Sequence, residues 1–318
     1  MADLFAVTQS LLAPAAIGAE VARAYDLPAP VRCTFLTPGI NDTYRVEAGG
    51  TPYILRVYRA GWRTPAEIDW ELALLRHLEQ SGVAVSVPIA RRDGTWRLEF
   101  AAPEGARQAV LFSFAPGKVL AYNEEDALRY GSLVADLHTA MDGFTTELPR
   151  FHLDREHLLE QPLRTIRPHA ERHGSWEFYA REGARMGAQL SELEPLLTWG
   201  ICHGDLHGHN VHQTEEHQLT LFDFDCGGPG LRAYDLAVYR WAVRMHARTA
   251  EPWEAFLRGY QSRRPLGQAD LEAVPLFVRI RTLWLLGLYA GQVEQRGTAF
   301  IEQGLTWTVN TLQKWESS

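Results

Sequence analysis

Hydrophobic spacing changes period once along this chain, at Pro116-Gly117, and that change is the strongest constraint on what the chain can fold into. Before it, apolar residues alternate with polar ones in short runs at Val31–Leu36, Thr43–Glu47, Tyr53–Tyr58, Trp96–Phe100 and Ala109–Phe114. Turn residues such as Gly39, Gly49-Gly50 and Asp93-Gly94 separate them, the signature of an antiparallel sheet. One helix interrupts the series. Thr64-Pro65 supplies a cap and a first-turn proline, Ile68, Leu72, Leu75 and Leu78 recur at helical spacing, and Ser81-Gly82 ends it. It is expected to pack on one face of the sheet. After Pro116-Gly117 the spacing is helical, with helices expected near Asn123–Met141, Tyr179–Leu197, Ala233–Met245, Trp253–Tyr260, Asp270–Ala290 and Thr298–Trp315. Short β-like pieces fall around Ile201, Val211 and Leu219–Phe222, the kind of element that carries functional loops. The expected class is α+β in two lobes: residues 1–114, with an N-terminal helical extension, and residues 115–318.

Length agrees with two lobes, because single cores stop growing at about 250–300 residues and this chain has 318, of which 46% are hydrophobic. The 31 Lys and Arg against 39 Asp and Glu give a net charge of −8, so no global positive field exists to hold nucleic acid or an anionic membrane. Cationic partners fit better. Cys33, Cys202 and Cys226 are odd in number, widely spaced and without a CxxC pair, which points to a reducing compartment, the cytoplasm. Met1 to Leu12 lacks a basic stretch followed by an apolar one, and no run of about 18 consecutive apolar residues occurs, so neither a signal peptide nor a membrane-spanning helix is expected.

The chemistry concentrates in Ile201-Cys202-His203-Gly204-Asp205-Leu206-His207-Gly208-His209-Asn210-Val211-His212. Asn210 follows Asp205 at +5, the spacing of the aspartate and asparagine in the catalytic loop of protein kinases, and Asp223 then closes a short β-like hairpin. Phosphoryl transfer needs a carboxylate near the acceptor hydroxyl and at least two oxygen ligands for magnesium. Asp205, Asn210 and Asp223 supply those three groups. The density of His203, His207, His209 and His212 also invites a transition-metal reading. Structural zinc sites, however, favour cysteines or an i, i+4 pair on a helix, whereas these histidines occupy a loop running into a strand. Loop bracing or solvent exposure suits them better.

His203-Gly204-Asp205-Leu206-His207 with Asn210, followed by Phe222-Asp223-Phe224-Asp225 and Tyr234-Asp235-Leu236-Ala237, resembles the aminoglycoside phosphotransferase and choline kinase superfamily. The Asp-Phe-Asp ending and the Gly-x-Gly-x-x-x-Tyr-Asp-Leu-Ala stretch from Gly228 resemble its branch of type II homoserine kinases and bacterial stress-response Ser/Thr kinases. The likeness runs from about residue 30 to 290. It implies a bilobal protein-kinase-like fold, with ATP and Mg2+ as cofactors. It further implies that Asp205 accepts or orients the acceptor hydroxyl, Asn210 and Asp223 hold magnesium, His203 braces the loop and Asp235 locks it from the following helix. His207 is a further candidate, and Asp225 faces either the acceptor or a second metal.

On the nucleotide side, the turn Pro38-Gly39-Ile40-Asn41-Asp42-Thr43-Tyr44 places Gly39, Asn41 and Thr43 where backbone amides can approach phosphates. Arg56, in Tyr53-Ile54-Leu55-Arg56-Val57-Tyr58, stands where kinases carry a phosphate-binding lysine, keeping the charge but not the geometry. Glu71 on the following helix is its candidate partner, with Glu67 the alternative. Adenine is expected against Leu111–Gly117, read by backbone groups of Ser113, Phe114 and Ala115. The acceptor pocket belongs to the helical lobe, around Trp241, Trp284 and Tyr289, and the acidic balance suits an amine-bearing alcohol. The leading reading is therefore a kinase acting on a homoserine-like, amino-alcohol or aminoglycoside acceptor, as a monomer or homodimer, with no nucleic-acid or membrane partner. A protein Ser/Thr kinase is the alternative, disfavoured because only Cys226 to Leu231 separates Asp225 from the next helix. A silent nucleotide-binding module is a third reading, raised by Arg56 and opposed by intact Asp205, Asn210 and Asp223.

Overall fold

The computed structural model describes residues 5–247 and 249–316. The chain begins with α1 (Pro14–Ala24), β1 (Val31–Thr37), β2 (Asp42–Ala48), β3 (Thr51–Val57), α2 (Pro65–Gln80), β4 (Arg97–Ala102) and β5 (Gly105–Ser113). It continues through β6 (Lys118–Val119), α3 (Glu124–Met141), α4 (Gln161–His173), α5 (Trp176–Leu193), β7 (Trp199–Cys202), β8 (Val211–Gln213), β9 (Leu219–Leu221) and β10 (Gly228–Leu231). It ends with α6 (Ala233–His246), α7 (Glu251–Gln261), α8 (Gln268–Ala290), α9 (Val293–Arg296) and α10 (Thr298–Glu316). These elements form two compact units, the first running through Gly117 and taking in Thr145–Pro149 and Gln213–Phe222.

In the first unit, β1 to β5 form an antiparallel sheet in the order β1-β2-β3-β5-β4. Strand alternation gives it two different faces. Tyr44, Val46, Leu55, Val57, Ala109 and Leu111 point to one face and form a core with Ile17, Val21 and Tyr25, from and just after α1. Arg56, in register with Thr43 and Val110, belongs to the opposite face, where Glu71 of α2 meets it. Arg97 of β4 likewise reaches Asp69 of α2 at 2.7 Å. Segment 213–222 joins this unit through backbone: Ser86 N–H donates to the Leu221 carbonyl at 2.8 Å, and Leu221 N–H to that of Ala84 at 3.0 Å.

The second unit is mainly helical. Its long helix α8 is apolar enough to match a membrane span by length and composition, yet 72% of that stretch is buried inside the protein. It packs against α4, α6 and α10 as the unit's central helix. Helices α3 and α7 approach so closely that a Cβ on Gly131 would meet the Phe256 carbonyl at 2.0 Å, which fixes that position as glycine. Several elements escaped the sequence reading, among them α4 and β10. Helix α4 carries Pro162 and Pro168 among Arg and His residues, so its helical period is masked. Strand β10 is Gly-Pro-Gly-Leu, residues depleted in strands, and exists because it pairs antiparallel with β7.

The first unit also buries a charge that no motif announces. Arg107 has no exposed side-chain surface; it contacts Asp42 at 2.8 Å and donates to the carbonyls of Tyr58, Ser10 and Val57. Arg107→Ala leaves Asp42 buried without its counter-charge and is expected to lower stability by about 3–5 kcal/mol in denaturant unfolding. The double variant Asp42→Asn/Arg107→Met is expected to lose less, because the Asp42 charge is then removed together with its cation and only Glu104, 3.7 Å from Arg107, is left without it.

Candidate active site

Strand β7 ends at Cys202, and the chain then turns through Gly204 at φ +78°. A Cβ there would lie 2.1 Å from the Cys226 carbonyl oxygen, so only glycine fits the turn. Asp235, in the first turn of α6, holds the turn from behind. Its Oδ2 accepts from the His203 N–H and its Oδ1 from the Gly204 N–H, each at 2.7 Å. His138 of α3 meets Oδ2 through Nε2 at 3.1 Å, while its Nδ1 lies 2.9 Å from the Tyr260 hydroxyl. These partners assign Nε2 as the donor and Nδ1 as the acceptor of a neutral imidazole. Burial lowers the His138 pKa to about 4. Burial pushes the Asp235 carboxyl up, but the His138 hydrogen bond, the neighbouring histidines and the Gly204 amide together hold it below the usual carboxylate range.

His203 braces the loop, accepting the Asp205 N–H on Nδ1 at 3.3 Å and packing its ring 4.2 Å from that of Phe224. Asp205 is held by both oxygens. Oδ2 takes the Asn210 side-chain N–H at 3.0 Å and lies 3.3 Å from His207 Nε2, and Oδ1 is paired with Arg281 of α8. Burial opposes its charge, yet His207 and Arg281 outweigh burial and hold the carboxyl well below its ordinary range. His207 is itself penalised by burial, but Asp205 and the more distant Asp223 raise its pKa.

Asn210 is 5% exposed and gives its Nδ2 to the Asp205 carbonyl as well as to the carboxylate, which directs Oδ1 the other way. Asp223 follows β9 in the left-handed region at φ 67°, a conformation costly for a residue with a Cβ and found where a side chain is aimed. Asp225 is buried in the 3-10 turn Phe224–Cys226. Arg150 clamps that turn, donating to the carbonyls of Gly227 and Asp225 at 2.6 Å and of Phe224 at 3.3 Å. The Asn210 amide oxygen and the Asp223 carboxylate are hard oxygen donors of the kind magnesium takes. The histidines do not form a rival centre: His207 faces Asp205 while His209 packs against the His246 ring at 5.5 Å. Among the described residues no three His, Cys, Asp or Glu side chains group as a metal site.

In the first unit, Arg56 Nη1 lies 2.7 Å from Glu71 Oε1, the Tyr58 hydroxyl donates to Glu71 Oε2 at 2.9 Å, and the Phe112 ring lies 5.1 Å below the guanidinium. Glu71 has 1% side-chain exposure and Arg56 11%, so the glutamate is the more enclosed member of the pair. Glu67 is instead the second half of a capping box with Thr64. In the turn after β1, which begins at Pro38-Gly39, Asn41 accepts the Arg59 N–H on Oδ1 at 3.1 Å. Thr43 stands opposite Arg56 in the β2–β3 register. Ser113 departs from its expected role: its N–H goes to the Val87 carbonyl, its carbonyl takes Ser86 Oγ, and its own Oγ takes the Val87 N–H. With its amide committed to Val87, Ser113 ties the sheet and retains only the second lone pair of its carbonyl for a base edge. Ala115 is buried, and Phe114 lies under the Arg45 guanidinium at 5.4 Å.

Arg281, Arg150 and His138 were not legible as site residues. For Arg281 a signal existed: two arginines within Phe277-Val278-Arg279-Ile280-Arg281-Thr282-Leu283-Trp284, where a charge in an apolar helix requires a buried partner. The aromatic residues expected around the acceptor separate. Trp284 packs beneath Arg281 at 4.7 Å, whereas Trp241 and Tyr289 line a cavity of about 380 Å³ beside α10.

An antiparallel five-stranded unit with an arginine–glutamate pair, and a helical unit with an anchored aspartate–asparagine loop, define a phosphotransferase of protein-kinase-like fold. The chain belongs to the phosphotransferase enzyme family, whose family model matches residues 34–274. It is 29% identical over 244 residues to a homoserine kinase of Agrobacterium fabrum, covering 75% of this chain and 73% of that one. Among solved structures, a microcompartment-associated aminopropanol kinase superposes with a TM-score of 0.77 at 27% identity, covering 95% of this chain and 98% of the other. An amicoumacin kinase in complex with AMP-PNP and Ca2+ superposes with a TM-score of 0.75 at 20% identity, covering 93% of each chain.

The buried neutral His138 makes the loop's anchor sensitive to acid. Its folded pKa of about 4 lies below the ordinary value of 6.5, so its contribution is complete above about pH 6.5 and is lost as the pH falls toward 4. Across that window stability is expected to decline by up to about 1.4 kcal/mol per pH unit on this account. Denaturant unfolding at stepped pH checks it, and His138→Gln is expected to flatten the slope.

Proposed function

We propose that the chain is an ATP- and magnesium-dependent kinase moving the γ-phosphate to the hydroxyl of a small amine-bearing acceptor of the homoserine or amino-alcohol kind. The observation that carries this reading is the Asp205 carboxylate, fixed by Asn210, His207 and Arg281. A carboxylate held so far below its ordinary range is a poor general base but a firm hydrogen-bond acceptor. In a loose phosphoryl-transfer transition state that is what the acceptor requires. Asp205 orients the hydroxyl, whose oxygen bonds to the γ-phosphorus as the bond to the β–γ bridging oxygen breaks. Asp205 takes the proton late, once the forming ester has made it acidic.

Asn210 Oδ1 and the Asp223 carboxylate would hold the magnesium, which neutralises phosphate charge when bound. Arg56, kept in place by Glu71, contributes a phosphate contact, with the backbone around Gly39 and Thr43 as a second. The amicoumacin kinase complex with AMP-PNP and Ca2+ supports an ATP-type donor with a divalent cation. The homoserine kinase and aminopropanol kinase similarities support a small hydroxyl acceptor carrying an amine, as does the net charge of −8. A protein acceptor is less well supported: after Asp225 the chain enters β10, paired to β7, and then α6, leaving no long segment between Asp225 and α6. Cys33, Cys202 and Cys226, odd in number and widely spaced, support a reducing compartment, and we place the protein in the cytoplasm.

ADP release measured across amino-alcohols, amino acids, aminoglycosides and a generic protein substrate tests the reading; activity confined to the protein substrate would overturn it. Asp205→Ala is expected to lower kcat by about 10³-fold or more with ATP affinity little changed. Arg56→Ala is expected to raise the KM for ATP well beyond the effect of Arg59→Ala.

A further inference from the structure

We propose that Arg281 is a positioning residue for phosphoryl transfer, an arginine delivered by α8 that fixes the orientation of Asp205. The inference rests on the reading of Asp205 as the acceptor-orienting carboxylate.

Arg281 sits mid-way along the unit's central helix with 3% exposure, and its guanidinium is spread over the whole catalytic turn. Nη2 pairs with Asp205 Oδ1. Nη1 donates to the Tyr234 hydroxyl at 3.1 Å and to the Gly204 carbonyl at 3.4 Å. The Trp284 ring supports the plane of the group from below at 4.7 Å. One side chain thus contacts the carboxylate, the glycine that turns the loop, and the residue preceding Asp235. A planar group with forked donors can hold these partners together, whereas an ammonium on a flexible stem cannot hold the same fork.

The consequence for Asp205 is geometric first. With Oδ1 on Arg281 and Oδ2 on Asn210 and His207, the carboxylate cannot rotate, and its remaining lone pairs have one direction in which to meet a hydroxyl. Freed from Arg281, it would keep its Oδ2 contacts but swing about them. A misplacement of about 1 Å in a positioning group costs on the order of 10²-fold in rate. Loss of a partner that orients a functional side chain typically costs about 10–100-fold. Because Arg281 acts through the acceptor's carboxylate, the loss belongs in kcat and not in the KM for ATP.

The test uses the full-length protein with the best acceptor from the panel, comparing Arg281→Met, Arg281→Lys, Arg281→Ala and Asp205→Ala. Arg281→Met is expected to lower kcat by about 30–100-fold with the KM for ATP within about twofold. Arg281→Lys is expected to recover part of that loss. Guanidinium ion added to Arg281→Ala is expected to restore activity by about tenfold or more, which repair of a merely structural defect would not produce. Tyr234→Phe, which deletes one anchor of the guanidinium and no charge, serves if the truncated variants do not fold, and is expected to lower kcat by about 3–10-fold with an unchanged KM for ATP. The proposal is overturned if Arg281→Met keeps kcat within about threefold of the parent, if neither lysine nor guanidinium recovers a loss in a folded variant, or if Tyr234→Phe is the only folded variant and matches the parent. Should Asp205→Ala retain full turnover, the reading of Asp205 fails, a result separate from loss of Arg281 alone.

Discussion

The second unit is organised around one buried carboxylate. Asp235 receives two backbone amides from His203 and Gly204 and a third hydrogen bond from His138, so each oxygen is satisfied in an interior where an unpaired charge is expensive. Three separate stretches of chain meet there: the catalytic turn, the start of α6, and α3. The left-handed turn at Gly204, the bracing of Asp205 by His203 and the placing of Asn210 follow from that anchor. An inward-facing carboxylate is stable here because the turn brings N–H groups that β7 cannot pair.

Three of the buried ion pairs serve different ends. Arg107 and Asp42 are wholly enclosed, and their role is architectural, tying β2 and β5 to the segment after Val57 and to Ser10. In the Arg56–Glu71 pair the glutamate is fully enclosed and the arginine slightly less so. In the Arg281–Asp205 pair the order reverses: the arginine has 3% side-chain exposure and the aspartate 18%. In all three the cation is arginine, whose fork can satisfy several acceptors at once.

Much of this was legible because it is local. The strands of the first unit follow from alternation, and α2 from its cap and its Ile68-Leu72-Leu75 spacing. Asp205, Asn210 and Asp223 could be singled out because a phosphotransferase needs those groups at that spacing. Some residues whose roles depend on distant partners could not be read, although Glu71 was expected to pair with Arg56 and Asp235 to lock the loop. Ser113 is a sheet strut because Val87 and Ser86 lie beside it, and Glu67 serves a cap while Glu71, four residues on, takes the ion pair. Helix α4 and strand β10 hide behind proline and glycine because packing and pairing override weak propensity.

By itself the sequence determined the class of architecture and the chemical vocabulary of the loop, since periodicity and motif spacing are properties of neighbouring residues. What only the tertiary structure decided is the electrostatic state of that loop. The pairing of Asp205 with Arg281, 76 positions away, and of Asp235 with His138, 97 away, arises from helices crossing in the second unit. A carboxylate's basicity is set by burial and by charges a few ångströms off, and such proximity is written in no local pattern. The motif therefore names the aspartate, and the fold makes it a fixed, weakly basic acceptor.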